Sequence, residues 1–299
     1  MNTRGRSPHF QEYDIPKNVF DVPGGKVRLS DISAEPPKDM TKARAEKRFV
    51  ALGEELFALQ DAMFGARVNS VMVVLQGRDT AGKDGTIKHV VGCLNPRGVS
   101  VTSFGIPTTE EREHDFLWRI HRQAPRRGEF AIFNRSHYED VLVVRVHDLA
   151  PKKSWQERYG HINDFEELLA ENGTIVLKYF LHISKDEQKQ RLLEREKERD
   201  TAWKLNPNDW KERDRWDEYT KAYEDAISKT AASHAPWTIV PANSKWYRNL
   251  VVAESIVDKL RDHRKYWEKT LDDMGKAGRA GLDAYRAQLA ARGRKDARK

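Results

Sequence analysis

The chain has 299 residues, of which 38% are hydrophobic and 33% charged, and its formal net charge is +7. This length can bury one large α/β core, whereas no apolar run approaches the roughly 20 residues that cross a bilayer. The first residues form no apolar signal core and the single cysteine, Cys93, excludes an intrachain disulfide framework, so we expect a soluble, cytoplasmic protein.

The amino-terminal part predicts an extended arm followed by a helix. Residues 1–40 hold prolines 8, 16, 23, 36 and 37 together with Gly24 and Gly25, which favour extended chain. Residues 43–64 predict an amphipathic helix that leads into the first strand. Its apolar positions at helical spacing are Phe49, Leu52, Leu56, Leu59 and Met63.

A phosphate-binding loop follows. Val71 to Leu75 predicts a buried strand, and it leads into Gly77-x4-Gly82-Lys83 and then into residues with helical character. Backbone N–H groups of the turn and the positive end of the helix attract an anion, and the lysine adds a mobile charge. The alternative is a plain glycine turn with a solvated lysine. The predicted phosphate-binding set is Gly77, Ala81, Gly82, Lys83, Asp84, Gly85 and Lys88.

The residue after Lys83 departs from the usual loop, because Asp84 stands where Ser or Thr normally ligates Mg²⁺. The metal must then be held by other groups. Asp79 and Asp84 give the loop two carboxylates that suit a hard cation.

Strands and helices alternate through the rest of the chain. The predicted strands are 99–104, 130–133, 174–183 and 237–240. The predicted helices are 82–94, 108–123 from a Thr108–Glu111 capping box, 155–171, 184–199, 210–229 and 245–262, with a loop at 203–209. This alternation predicts a three-layer α/β fold with a parallel sheet covered on both faces.

Ligands of such sheets bind where the strands end. The first strand ends at the phosphate loop, the second at Ser103 and Phe104, and the third at Asn134 and Arg135. We therefore expect these segments to converge on one site. Arg135 is suited to clamp a phosphoryl group, and its alternative role is a structural ion pair.

Asn134 occupies the place where phosphate-loop enzymes usually carry a carboxylate for Mg²⁺. An amide cannot neutralise a metal or accept a proton. We therefore expect other carboxylates to bind the metal. The predicted metal ligands are Asp79 first, and then Asp84, Glu139 and Asp140.

The helix after Ser184 predicts a cationic lid. Arg191, Arg195 and Arg199 recur at every fourth position and share one face, and Lys204 follows in the loop. The alternative is a solvated face of ordinary ion pairs with the neighbouring glutamates. The position of this segment, about 184–229, favours a lid that brings arginines to developing charge on closure.

The positive charge of the chain is concentrated at its carboxyl terminus. Residues 276–299 hold eight Lys and Arg and two Asp, a local charge of +6. A tail rich in Ala, Gly, Arg and Lys is more often a solvated extension than a reader of nucleic acid. We expect an arm at 1–40, a catalytic domain at 41–265 and a basic tail at 266–299, with nucleic-acid binding by the tail as a less favoured alternative.

Several motifs together resemble the polyphosphate kinase 2 family over roughly residues 26–260. They are Gly-Lys-Val-Arg-Leu-Ser (25–30), Gly-Arg-Asp-Thr-Ala-Gly-Lys-Asp-Gly (77–85), Asn-Pro-Arg-Gly (95–98), His-Asp-Phe-Leu-Trp-Arg-Ile-His (114–121), Phe-Asn-Arg-Ser-His-Tyr-Glu-Asp-Val-Leu (133–142), Trp-Lys-Leu-Asn-Pro (203–207) and Trp-Tyr-Arg-Asn-Leu (246–250). Residues 134–140 resemble the branch usually called class III, in which the third-strand aspartate of other branches is Asn and both AMP and ADP are phosphorylated.

The resemblance implies a thymidylate-kinase-like phosphate-loop kinase fold with a helical lid, an oligomer, and Mg²⁺ or Mn²⁺ as the metal. It implies catalytic roles for Asp79, Lys83, Asn134 and Arg135. Nucleotide binding would involve Arg119, Asn134 and Arg135, and the lid arginines with Lys204 would line the polyphosphate path.

The sequence thus predicts an enzyme that moves a phosphoryl group from inorganic polyphosphate to ADP and AMP, forming ATP from ADP. The main alternative is an ATP-dependent nucleoside or nucleotide kinase of the thymidylate-kinase type. Those enzymes usually keep Ser or Thr at the position of Asp84, which argues against that alternative.

Overall fold

The structure is a computed structural model that describes residues 20–22, 25–197, 199, 203 and 205–296, with side chains described between 25 and 292. The predicted arm residues Pro8, Pro16, Pro23 and Gly24 and the lid residue Lys204 lie outside the described residues. Among the described residues, no helix combines the length and the apolar composition needed to cross a membrane.

The described strands form one sheet. They are β1 (Phe20–Val22), β2 (Ser70–Gly77), β3 (Val99–Ser103), β4 (Phe130–Asn134), β5 (Thr174–His182) and β6 (Trp237–Pro241). Their order is β1-β6-β5-β2-β4-β3. The five strands β2 to β6 pair in parallel, which confirms the predicted fold class. β1 adds an antiparallel edge against β6, which the expected arm did not include.

Helices cover both faces of the sheet. They are α1 (Lys42–Ala66), α2 (Lys83–His89), α3 (Thr109–Arg112), α4 (Trp118–His121), α5 (Val143–Val146), α6 (Lys152–Glu171), α7 (Lys185–Lys197), α8 (Pro207–Asp214), α9 (Trp216–Thr230) and α10 (Lys245–Asp296).

Successive side chains of β2 point to opposite layers. Val71, Val73 and Leu75 pack in the cluster that contains α1 and α10, whereas Met72 and Val74 pack in the cluster with α6 and α9. All eight residues of β2 are buried because helices cover both faces. Because β2 is packed on both faces, the position of the phosphate loop that follows it is fixed relative to the core.

Two predicted helices are shorter than expected. The helix predicted for 82–94 ends at His89, since Gly92 and the approach to Pro96 disfavour continuation, and two 3₁₀ turns follow. The helix predicted for 108–123 begins with the expected Thr108–Glu111 capping box but divides into α3 and α4. Asp115 causes the division, because its carboxylate accepts from the backbone N–H of Leu117 at 2.9 Å and starts a new turn.

Two further predictions differ in the carboxyl-terminal half. The helix predicted for 210–229 begins earlier, at Pro207 after the Asn206 cap, and divides at Arg215 into α8 and α9. The helix predicted to end at 262 continues to Asp296. Trp267 explains the first part of the continuation, because it is fully buried in the core with α1 and donates from Nε1 to Oδ1 of Asn69 at 2.9 Å. The described side chains of 276–292 are exposed.

Candidate active site

The phosphate loop connects β2 to α2. Gly82 caps the helix with φ +105°, a conformation that L-residues with a β-carbon rarely adopt. Lys83 Nζ donates to the carbonyl oxygens of Gly77 at 2.6 Å and Arg78 at 3.3 Å. Burial lowers the pKa of Lys83, and the carboxylate of Asp79 opposes that shift. The ammonium group is therefore held inside the loop at the opening of the site.

A cavity of 1370 Å³ opens above this loop. Its walls come from the loop and α2, from the start of α1, from the residues that end β3 and β4, from α7, and from the first turn of α10. The segments that follow β2, β3 and β4 therefore meet at one site, as the parallel topology predicts.

Arg135 and Asp79 face each other in the cavity wall. Arg135 Nη2 donates to Asp79 Oδ1 at 2.9 Å, and both side chains are partly exposed. Burial alone would lower the pKa of Arg135, but the carboxylates of Glu139 and Asp79 outweigh it and raise the pKa. The guanidinium therefore remains charged next to the phosphate loop.

A second polar contact joins β4 to α2. Asn134 Nδ2 donates to Asp84 Oδ1 at 3.0 Å, and both residues line the cavity. The amide orients the carboxylate that replaces the usual hydroxyl group of the loop.

The four predicted metal ligands separate into two pairs. Asp79 and Asp84 line the cavity, whereas Glu139 and Asp140 do not. Asp140 Oδ1 accepts from Arg158 Nη1 at 3.1 Å, and burial raises its pKa. Burial likewise raises the pKa of Glu139, against the effect of Arg135 and Lys83.

The described residues contain no group of three or more His, Cys, Asp or Glu side chains placed to enclose a metal. Mg²⁺ commonly binds one or two carboxylates together with substrate phosphates rather than a complete protein cage. The two hard carboxylates Asp79 and Asp84, beside Lys83, fit that kind of site.

Arg191, a predicted lid residue, lies in the wall of the cavity but is buried. Its Nε donates to Glu187 at 2.6 Å, Nη1 to the carbonyls of Thr80 and Ala81, and Nη2 to those of Ala242 and Asn243. A guanidinium has five N–H donors, so these contacts occupy all of them. In this conformation Arg191 joins the phosphate loop to the segment before α10.

The other predicted lid residues lie further out. Arg195 lines the cavity and donates from Nη1 to Asp209 Oδ2 at 2.8 Å. Arg199 is exposed and is not part of the cavity wall.

The chain matches a known protein family over most of its length, including the residues around this cavity. A model of the polyphosphate kinase 2 family matches residues 39–268. The chain belongs to the polyphosphate kinase 2 family. The resemblance seen in the motifs is thereby confirmed, and the match includes every predicted site residue.

Similar proteins support this membership. An AMP/ADP-polyphosphate phosphotransferase of Meiothermus ruber is 51% identical over 219 residues, which are 73% of this chain and 82% of the relative. An ADP-polyphosphate phosphotransferase of Rhodopseudomonas palustris is 40% identical over 229 residues, 73% of this chain and 79% of the relative. The crystal structure of polyphosphate kinase 2 from Arthrobacter aurescens TC1 superposes with a TM-score of 0.78 at 42% identity, covering 81% of this chain and 87% of that one.

Arg119, predicted to bind nucleotide, lies behind the cavity in this polyphosphate kinase 2 chain. It is buried, donates from Nη1 to the carbonyl of Gly105 at 2.9 Å, and its guanidinium lies 5.5 Å from the ring centroid of Phe104. Since Phe104 and Gly105 line the cavity, Arg119 supports that wall from behind.

Arg248 is a site residue that reasoning from the sequence missed. A β-carbon on Gly82 or Gly85 would collide with its guanidinium, so it packs directly on the phosphate loop. Burial lowers the pKa of Arg248 to about 10, and Arg191 contributes to that shift. The sequence did contain a signal for this residue, because Arg248 belongs to the Trp-Tyr-Arg-Asn-Leu motif at 246–250. That motif supported the resemblance to the family but did not by itself indicate a role for Arg248.

Proposed function

We propose that this protein is a Mg²⁺-dependent phosphotransferase that moves the terminal phosphoryl group of inorganic polyphosphate to ADP and to AMP, reversibly. The observation that carries the proposal is the cationic wall of the cavity around Lys83. The names of the Meiothermus ruber and Rhodopseudomonas palustris relatives support the same donor and acceptors.

The donor side is the wall formed by α1, α2 and α10. Lys42, Lys88, Lys245 and Arg248 line the same cavity as Lys83, and on this wall these five cations outnumber the two carboxylates, Glu46 and Asp84. A cleft lined mainly by one sign of charge focuses its field and raises the local concentration of a polyanion. A long phosphate chain therefore has a basic path to the phosphate loop. An enzyme with a single nucleoside triphosphate as donor would not need a path of this extent.

The acceptor side is the wall formed by the ends of β3 and β4. Phe104 gives this wall an apolar surface for the nucleoside, and Asn134 and Arg135 bring polar groups next to the phosphate loop. AMP or ADP placed here would present its terminal phosphate towards Lys83.

Catalysis then depends on positioning and electrostatics. The attacking oxygen of AMP or ADP is already ionised at neutral pH, so no general base is needed, which agrees with an amide at Asn134. Lys83 and Arg135 stabilise charge on the transferred group, while Asp79 and Asp84 would hold Mg²⁺. When bound, Mg²⁺ supplies neutralisation of charge on the phosphate oxygens.

The deciding experiment is nucleotide product analysis with purified protein, Mg²⁺, long-chain polyphosphate and either AMP or ADP. Wild type should phosphorylate both acceptors, and Lys83→Ala should form no product. Lys47→Ala, which changes an exposed lysine of α1, is the matched control and should keep wild-type activity. Phosphorylation of a nucleoside or monophosphate by ATP, with none from polyphosphate, would favour the nucleotide-kinase alternative. Reactions with EDTA, Mg²⁺ or Mn²⁺ test the metal.

We also propose the predicted homo-oligomer, the cytoplasmic location, and the division into an arm (1–40), a catalytic domain (41–265, with the lid at about 184–229) and a tail (266–299). Exposed apolar side chains along the outer part of α10 support self-association. They are Met274, Leu282, Tyr285 and Leu289. Light scattering on the full chain and on a chain ending at residue 273 tests the oligomer. The particle mass divided by the chain mass gives the number of subunits, and we expect fewer subunits for the shorter chain.

A further inference from the structure

A second basic cavity, of 640 Å³, lies at the amino ends of β2 and β4. The residues that line it are Phe64, Arg67, Arg97, Arg126, Arg127 and Glu129. The phosphate loop follows the opposite end of β2, eight residues away, so the two cavities are separated by roughly 25 Å at about 3.3 Å per strand residue. We call the four arginines the arginine cluster.

Backbone hydrogen bonds and close packing fix the segments that carry the cluster at the amino ends of β2 and β4. Arg67 caps the carboxyl end of α1 in a left-handed conformation, with φ +52°. The N–H of Gly128 donates to the carbonyl of Asn69 at 2.7 Å, and that of Glu129 to the carbonyl of Arg126 at 2.9 Å. Gly98, beside Arg97, packs closely on Phe64. Three separate segments are thus held around one opening.

Within the part of the chain that the structure describes, the charge of the arginine cluster is not neutralised. Among the described residues, no carboxylate oxygen lies within 4.0 Å of a guanidinium nitrogen of the cluster, although Glu129 lines the same cavity. The guanidinium of Arg97 lies 5.7 Å from the ring centroid of Phe64. By contrast, Arg135, Arg145 and Arg158 each pair with an aspartate. Four clustered cations with one nearby carboxylate produce a strong local attraction for anions.

We infer that the arginine cluster is a second anion site, which binds a segment of long inorganic polyphosphate while the end of a chain reacts at Lys83. Guanidinium groups bind phosphate oxygens through paired N–H donors. Because the four groups come from three segments around an open cavity, they suit an extended chain of phosphates better than one phosphate ion. This inference rests on the proposed function for its choice of ligand. Retention of the chain would raise the effective concentration of donor at the active site.

The test compares two triple variants in the inactive Lys83→Ala background. Arg97→Ala/Arg126→Ala/Arg127→Ala removes three exposed guanidiniums of the cluster and keeps the helix cap Arg67. Lys152→Ala/Lys153→Ala/Arg264→Ala removes the same charge from exposed positions on α6 and α10, outside both cavities. Isothermal titration calorimetry with long-chain polyphosphate should show affinity weakened about tenfold or more by the cluster variant, a loss within the range of multivalent gains. The second triple variant should bind as the background does.

Equal weakening by both triple variants, or no weakening by either, would overturn the inference. A titration with single-stranded RNA tests the other polyanion, and loss of RNA binding with unchanged polyphosphate binding would also overturn it. In the active chain, the cluster variant should raise KM for long-chain polyphosphate with an unchanged kcat. If wild type forms no product from polyphosphate, the proposed function is wrong. The calorimetric comparison still tests the arginine cluster in that case, because it measures binding and not turnover.

Discussion

Arg135 donates from Nη2 to Oδ1 of Asp79 at 2.9 Å, and this contact links the end of β4 to the phosphate loop across the opening of the site. Asp79→Ala should lower kcat by roughly 10²–10³, the usual effect of removing one preorganised electrostatic contact. Steady-state kinetics measures the loss, and urea unfolding checks that the variant is folded. Asp61→Ala, an exposed change on α1, is the control. Asp79→Ala activity within about tenfold of wild type would contradict the role of Asp79.

Gly82 should tolerate no side chain. Gly82→Ala forces a positive φ on alanine and drives its β-carbon into Arg248, so we expect a loss of about 1–3 kcal/mol in the free energy of unfolding together with loss of activity. Gly92→Ala is the matched control, because open space surrounds Gly92 and its φ is not positive. Urea titration of both variants measures the difference.

The same comparison separates collision from backbone strain. Adding Arg248→Ala removes the collision but leaves the positive φ, so the double variant should regain only part of the lost stability. Full recovery would show that Arg248 alone excludes the side chain.

Arg191 should act as a positioning residue for the loop. Arg191→Lys cannot replace five N–H donors, so the carbonyl oxygens of Thr80 and Ala81 lose partners and the loop shifts. We expect kcat to fall by about 10²-fold, as for small misplacements of reacting groups. Assays well below the melting temperature separate this effect from unfolding. Lys189→Ala, exposed on the same helix, should remain fully active, and a fully active Arg191→Lys would refute the positioning role.

Glu166 and Lys178 form a buried ion pair below the 134–140 segment, with 2.5 Å between Oε2 and Nζ. Tyr138 also donates to Glu166 Oε1, at 2.9 Å. Glu166→Gln leaves the ammonium without its counter-charge, so we expect a loss of roughly 3–5 kcal/mol in unfolding free energy. Glu167→Gln, the exposed neighbour, should change little.

This pair also predicts a pH dependence. Burial alone would raise the pKa of Glu166, but Lys178 and His137 outweigh it and lower the pKa. The stabilisation is therefore fully present above the ordinary glutamate pKa of about 4.3 and is lost as the pH falls through the lowered value. Urea unfolding between pH 3 and pH 7 should show the wild type losing its advantage over Glu166→Gln only at the acid end of that range.

Local patterns in the sequence predicted much of the fold and part of the site. The buried run at 71–75 and the glycine spacing after it predicted the phosphate loop, and strand and helix alternation predicted the parallel sheet. The phosphate loop and the order of strands and helices are encoded by residues close together in the chain, so they can be predicted from one sequence. Lys83 and Asp79 were proposed from the glycine spacing and the carboxylates of the loop, and Asn134 and Arg135 because they directly follow a predicted strand; all four line the cavity.

The tertiary structure alone decided which of these residues act together. Arg191 was predicted to line the polyphosphate path, but four of its five contacts join it to residues 51 to 111 positions away along the chain, and no local pattern encodes them. Arg248 reaches the loop from α10, and Trp267 extends that helix by packing on α1. The antiparallel β1 likewise depends on pairing with β6. The sequence therefore determined the chemistry available to the site, and long-range packing determined how that chemistry is arranged.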